Sequence, residues 1–272
     1  ESLTNLKNAP PILAAAPAVF TYQAELIRCE GTASDSDGTI LAEYTYEVPL
    51  LHVFQSEGTP LETASTPQES QVLAAVQTFN TQFSSWIEPD LSDLTESAQW
   101  ERAFRAEEGL TFFPYLDELT CTVYQTEHLI SVFGNYYTYT GGAHPNTYLL
   151  SWNFDLDTGE FFDPELLDEG KYFHSFVQDS LIQQAQETVK EHGVDITEYF
   201  WDDYETILAD WSSYAVSFDE TGMTVAFSPY ELAAYAAGPQ FFHLSYEQLL
   251  PHLGPHGRML LGLEDAARPA VP

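Results

Sequence analysis

The run Tyr139-Thr140-Gly141-Gly142-Ala143-His144-Pro145-Asn146 gathers the residues best able to present chemistry to a partner. Gly141 and Gly142 open backbone angles closed to other residues. Pro145 fixes the following turn and holds the preceding His144 extended. One reading is a tight strand connection whose histidine bonds its own loop. The other is a rigid loop offering His144, Asn146 and nearby tyrosines such as Tyr139 for recognition. A second run, Ser228-Pro229-Tyr230-Glu231-Leu232-Ala233-Ala234-Tyr235-Ala236-Ala237-Gly238, sets small residues between Tyr230 and Tyr235. Small residues favour close packing, while tyrosines, apolar in the ring and polar at the tip, also suit an interface. In both runs packing is the simpler reading.

Catalytic signatures fail one by one. No G-x-S-x-G elbow, H-E-x-x-H helix or phosphate-cradling glycine loop occurs. His252 and His256 have helical spacing, but Gly254 and Pro255 between them interrupt a helix. Asp155-x-Asp157-x-Gly159 invites a calcium loop, yet glycine arrives one position early and Leu166 stands where a bidentate glutamate belongs. These aspartates read instead as turn residues. A glycosidase-type pair could hide anywhere among 42 acidic residues, because the separation that defines it is three-dimensional. No catalytic residue, metal or cofactor is therefore expected.

Those 42 carboxylates face 8 basic side chains, a formal charge of −34 on 272 residues. Such a surface repels nucleic acid and anionic lipid, which leaves cations, basic proteins and neutral polymers as partners. Solubility alone is the simplest use of the charge. The chain is no disordered tail, since 44% of it is hydrophobic and 14% aromatic, enough for a sizeable core. The longest apolar stretch, Pro10 to Phe20, is too short for a bilayer and is broken by prolines, so no membrane insertion is expected. No basic leader precedes it. Cys29 and Cys121 lie in strand-like segments, and both a disulfide between them and two unpaired thiols stay open.

An α+β fold has to position these residues. A strand is expected over 20–29, a turn over 31–38, and a strand region over 40–54 in which Pro49 implies an edge or a bulge. Thr66-Pro67-Gln68-Glu69 spells a capping box ahead of a helix with Val72, Val76, Phe79, Phe83 and Ile87 on one face. A separate helix is expected from Ser92 to Glu108, burying Leu94, Ala98 and Phe104, with Arg102 and Arg105 neutralising Glu101 and Glu108. From 110 to 162 the period turns to alternation. Strands at 111–113, 120–124, 129–139 and 148–154, then a hairpin at Asp157-Thr158-Gly159, make an antiparallel meander.

Lys171 to His192 is the next long helix, with Phe173, Phe176, Val177, Leu181, Ala185 and Val189 inward and Gly193 as its stop. A short acidic helix over 201–208 follows, then strands at 214–218 and 224–227 turning at Asp219 to Gly222. An extended segment at 240–244 and a helix at 246–253 end the pattern. The expected organisation is a linker at 1–17, an α+β subdomain at 18–128, one of similar size at 129–254, and a loose tail at 255–272. Helices pack on one face of the sheet; whether the halves are separate or share one sheet stays open.

Three ordered segments then carry a resemblance. They are the Tyr137 to Asn146 run, Trp152-Asn153-Phe154-Asp155-Leu156-Asp157-Thr158-Gly159, and Phe227 to Gly238 followed by Tyr246-Glu247-Gln248-Leu249. Together they resemble an extracytoplasmic bacterial domain family (DUF4163/DUF3298-like). It is shared by the lysozyme-sensing anti-sigma factor RsiV and the N-terminal region of the peptidoglycan deacetylase PdaC. The resemblance covers roughly Phe20 to Leu253 and is strongest after Leu129. It implies an α+β fold, a place outside the membrane of a Gram-positive or related bacterium, and contact with the cell wall or with proteins that attack it. No sigma-binding segment, membrane helix or deacetylase domain lies within these residues, so signalling and deacetylation are not carried over.

The resulting expectation is a secreted or surface-anchored binding or sensor domain without catalysis. It would recognise lysozyme or another basic wall-active protein through Tyr139, Gly141, Gly142, His144, Pro145, Asn146, Tyr230 and Tyr235. A module that positions a partner domain on cell-wall polymer is the alternative. A carboxylate-dependent wall hydrolase comes last.

Overall fold

The structure, a computed structural model, describes residues 20–167 and 172–264. The expected linker at 1–17 lies outside the described residues, as does the chain after 264. Thr66 caps as its position predicts. Its hydroxyl accepts from Glu69 N at 3.1 Å while the Glu69 carboxylate accepts from Thr66 N at 2.9 Å, just ahead of Pro67. The helix that follows, α1 (Pro67–Glu107), runs 41 residues without the break expected between Ile87 and Ser92. Pro89 forfeits a helical hydrogen bond, but both halves of α1 have a core to cover. Ala75, Phe79 and Phe83 close one cluster, and Leu94 and Ala98 close another with Leu41, Ala42 and Tyr115. Phe104, expected inside, is exposed and stacks on the exposed Trp100. Arg105 pairs with Glu101 at 2.6 Å as expected, whereas Arg102 reaches Asp35 and Asp37 instead.

The sheet beneath α1 has six strands in the order β1 (Phe20–Ser34), β2 (Ile40–Gln55), β3 (Tyr115–Gln125), β4 (Leu129–Tyr139), β5 (Asn146–Asp155) and β6 (Glu160–Phe161). Neighbours are antiparallel except β2 and β3, which run parallel from Ala42↔Tyr115 to Glu47↔Thr120 with α1 as the crossover between them. The strand expected at 111–113 is not formed. Pro49 lies just beyond the β3 ladder, the edge-like place its missing N–H requires. The domain boundary expected at 128/129 falls inside this sheet, between strands paired from Leu116↔Tyr139 to Gln125↔Ile130. A tight turn at 126–128 makes β3 and β4 one hairpin, so the halves divide only after β6.

Cys29 on β1 and Cys121 on β3 are free, so of the two possibilities left open it is the unpaired thiols that the structure has. β2 lies between them, and two strand spacings of about 4.8 Å exceed the Cα separation a disulfide tolerates. Burial pushes the Cys121 thiol up to about 12, while Cys29 is exposed. A thiol-alkylating reagent at mildly alkaline pH is expected to modify Cys29 alone in the folded protein and Cys121 only after unfolding. Mass spectrometry that found both modified at similar rates in the folded state would contradict this placement.

A second, three-stranded antiparallel sheet consists of β7 (Ala215–Phe218), β8 (Gly222–Phe227) and β9 (Gln240–Ser245). On it lies α2 (Tyr172–His192), burying Phe173, Val177, Leu181, Ala185 and Val189 as its period predicts. Phe176 sits at the margin, stacked 3.9 Å from His252, and Gly193 takes φ 68° at the helix end. The acidic helix expected at 201–208 is the shorter α4 (Tyr204–Ala209), and a further single turn, α3 (Ile196–Tyr199), precedes it. After α5 (Tyr246–Leu249) the chain does not loosen at Pro255. It forms α6 (Pro255–Leu260), whose Leu260 joins the core, and whose buried Arg258 donates to the Leu250 and Leu253 carbonyls. The Gly254-Pro255 break does separate His252 from His256, as expected. Among the described residues no helix is long and apolar enough to cross a membrane.

The two sheets are stitched by side chains. β7 has β8 on one edge only. Its other edge is met by the face of β4 and β5: Phe218 N donates to Ser131 Oγ at 2.9 Å, and Val216 N to Ser151 Oγ at 2.8 Å. Asn153 Nδ2 donates to Val216 O at 2.8 Å, and Ser131 Oγ to Asn153 Oδ1 at 2.8 Å. Buried polar side chains thus satisfy backbone groups that would otherwise be lost from water.

Candidate binding site

The β4–β5 connection and the segment after β8 lie some 85 residues apart in sequence and meet in space. The rings of His144 and Tyr235 stack with centroids 3.9 Å apart. His144 Nδ1 lies 2.9 Å from Pro145 O, which can only accept, so Nδ1 carries the proton. That leaves Nε2 to accept from Tyr230 OH at 3.3 Å. Tyr235 OH donates to the same Pro145 O at 3.1 Å. Tyr139 shapes the loop by donating to Gly142 O at 3.1 Å, and Gly141 turns it with φ 82°. Asn146 sits apart, exposed, opposite Thr138 at the last pair of the β4–β5 ladder. The structure therefore joins His144, Pro145, Tyr230 and Tyr235, with Tyr139, Gly141 and Gly142 as scaffold.

Tyr230 is the strained member. Its φ of 75° is the left-handed conformation in a residue other than glycine, and the residue is still 53% exposed. Such a conformation costs of order 1–3 kcal/mol and persists only where surroundings impose it. Tyr230 N donates to Ala233 O at 3.1 Å, and Tyr230 O accepts from Trp201 Nε1 at 3.0 Å. Ser228 anchors the start of the segment: its N donates to the Glu231 carboxylate and its Oγ accepts from Leu149 N at 3.0 Å. Burial raises the Glu231 carboxyl above its ordinary range. Trp201 is the residue that sequence reasoning missed. Its only signal was an aromatic run, Tyr199-Phe200-Trp201, set directly before Asp202 and Asp203. The DUF3298-side stretch is acidic, with eleven acidic residues and no lysine or arginine between Lys190 and Arg258, while Arg105 lies beside Gly141 on the other side of the seam.

Other places are built differently. A cleft of about 870 Å³, lined by Tyr22, Val72, Gln125, His128 and Asp157 among others, shares no residue with the aromatic seam. Asp155 accepts from Asp157 N at 2.8 Å and Thr158 N at 3.2 Å, and Gly159 takes φ 73°, so these aspartates are turn residues as expected. Among the described residues no group of three or more histidine, cysteine or carboxylate side chains could hold a metal.

Residues 61–147 match the family model described as deacetylase PdaC, and residues 162–247 match that of DUF3298, a protein family of unknown function. The chain carries both domains. His144 and Pro145 fall in the PdaC-type domain, and Tyr230 and Tyr235 in the DUF3298 domain. The aromatic seam is thus a contact between the two. A DUF3298 family member from Bacteroides fragilis is similar over 90% of this chain and 98% of its own, with 15% identity and a TM-score of 0.58, and has the same fold. A DUF3298 family protein from Pseudomonas aeruginosa is similar over 88% and 96% with 15% identity and a TM-score of 0.46. Among curated proteins none matches the chain.

Proposed function

We propose that this chain is an extracytoplasmic, non-catalytic binding or sensor domain whose partner is a basic protein that docks on the seam between its PdaC-type and DUF3298 domains. Tyr230 carries the reading: a tyrosine held in a strained backbone conformation, with its side chain half exposed and its hydroxyl on His144. Rigid aromatic anchors of this kind lose little entropy on binding. The acidic surroundings favour a cationic partner and would speed encounter in a salt-dependent way. Lysozyme is the first candidate because of the resemblance noted in the sequence. A wall hydrolase would need two carboxyls open to substrate, and Asp117, half of the close pair Asp90–Asp117, is fully buried.

Purified protein is expected to bind lysozyme saturably at near-physiological salt and to ignore a basic protein of matched size. The double variant His144→Ala/Tyr230→Ala should weaken that complex by about 2–4 kcal/mol while its circular dichroism stays native. Equal binding to both proteins, or to neither, would discard lysozyme recognition. Affinity for cell-wall polymer alone would favour the wall-positioning role.

A further inference from the structure

Asp117 occupies a position that β3 otherwise gives to apolar side chains. Tyr115, Leu119 and Cys121 are buried in the same phase of the strand, and Asp117 is fully buried among them. Its Oδ2 accepts from Tyr46 OH on β2, whereas its Oδ1 has no hydrogen-bond partner. Thr138, its cross-strand neighbour on β4, buries a hydroxyl that is also unpartnered, so the strand pair supplies no second donor. Asp90 of α1 stands against Asp117, with its two oxygens 3.1 and 3.0 Å from Tyr136 OH on β4. The other ionisable groups facing the pair are Tyr44 and Tyr46 from β2, Tyr136 from β4 and Asp93 from α1 itself. No cation is among them; Arg102 and Arg105 farther along α1 are engaged with Asp35, Asp37 and Glu101.

Asp117 is fully buried and Asp90 half-buried against it, and two carboxylates placed so disfavour being ionised together. Each tyrosine has one proton to give: that of Tyr46 is on Asp117, and that of Tyr136 is divided between Asp90 and Asp117, so two hydroxyl protons serve four carboxylate oxygens. The donor still missing at Asp117 Oδ1 is a proton on Asp90. We propose that Asp90 and Asp117 share one proton in the folded protein, and that this proton fastens the second half of α1 to the six-stranded sheet. Burial, with the Asp117 charge second, moves the Asp90 carboxyl from 3.8 to about 6. A folded value above the unfolded one means that acid favours the attachment. The gain is full below the unfolded value and fades as pH rises through about 6. The same half of α1 carries Arg105, whose guanidinium lies beside Gly141, so loosening reaches the loop of the seam.

Hydrogen exchange of residues 91–107, corrected for its intrinsic pH dependence, tests this. Protection should fall about ten-fold between about pH 5 and about pH 7.5 in the native protein. It should change less than about two-fold in Asp90→Asn, whose amide supplies a permanent donor to Asp117. Infrared difference spectra should show one carboxylic acid titrating near 6, lost in both Asp90→Asn and Asp117→Asn. Protection that does not vary with pH in the native protein, or no acid persisting above about pH 5, would overturn the shared proton. So would recovery of protection at neutral pH on adding calcium or sodium, which would make the pair a cation site.

Discussion

Gly222→Ala is expected to cost about 3 kcal/mol or more of folding stability, read from the urea midpoint. A Cβ at Gly222 would stand 2.1 Å from Leu244 O and 2.9 Å from Ser245 Cα, and both are backbone atoms that no rotamer change can move. The approach is this close because Gly222 pairs with Ser245 where β8 leaves its turn. The turn itself is rigid: the Asp219 carboxylate accepts from Thr221 N at 2.6 Å and from Gly222 N at 3.1 Å, and Asp219 N donates to Gly222 O at 3.0 Å. Gly58→Ala is the matched control. Gly58 has φ 74° and nothing within 4 Å of its added carbon, so only backbone strain of about 1 kcal/mol applies. Equal losses in the two variants would mean that β8 and β9 do not approach so closely.

Asn153→Ala is the second large effect, about 2–4 kcal/mol. The amide serves both sheets at once, accepting from Ser131 and donating to Val216 O. Removing it strands a buried carbonyl on β7 and frees the serine that holds Phe218 N. Because these bonds link the two sheets, the unfolding transition should also broaden or split, with the β7–β9 sheet and α2 melting first. A single sharp transition at the native midpoint would show that apolar packing, such as Phe133 against Ala215 and Ala226, holds the halves without the stitch.

Local features were legible because their causes lie within a few residues. The Thr66–Glu69 box, the buried stripe of α2, the Gly193 stop and the turns at Asp157 and Asp219 all depend on neighbours in sequence. The candidate loop was recognised by its glycines, histidine and proline, and the second segment by its tyrosines. What failed were inferences that stretched a local rule over a distance. Two helices were expected, one ending near Ile87 and one starting at Ser92, but a sheet wide enough to need both halves of α1 carried one helix through Pro89. Phe104 was placed inside by period alone, although α1 has outrun its sheet there. Pro255 was taken as the start of a tail, yet α6 returns to the core, where Gly254 N bonds Leu167 O and Thr126 Oγ1 bonds Leu260 O. Asp117 lay outside the strand expected at 120–124 and was one of 42 acidic residues; only β3 starting at Tyr115 puts it in the apolar phase of a strand.

The sequence by itself determined most element types, their caps and turns, the formal charge of −34, and the residues worth watching. Only the tertiary structure decided who meets whom. It set β2 between Cys29 and Cys121, paired β2 with β3 in parallel across α1, brought Asp90 to Asp117, and laid Tyr230 and Tyr235 on His144. The reason is physical: a contact that closes a loop of tens of residues is chosen by the packing of everything between its ends, and no short stretch of sequence holds that information.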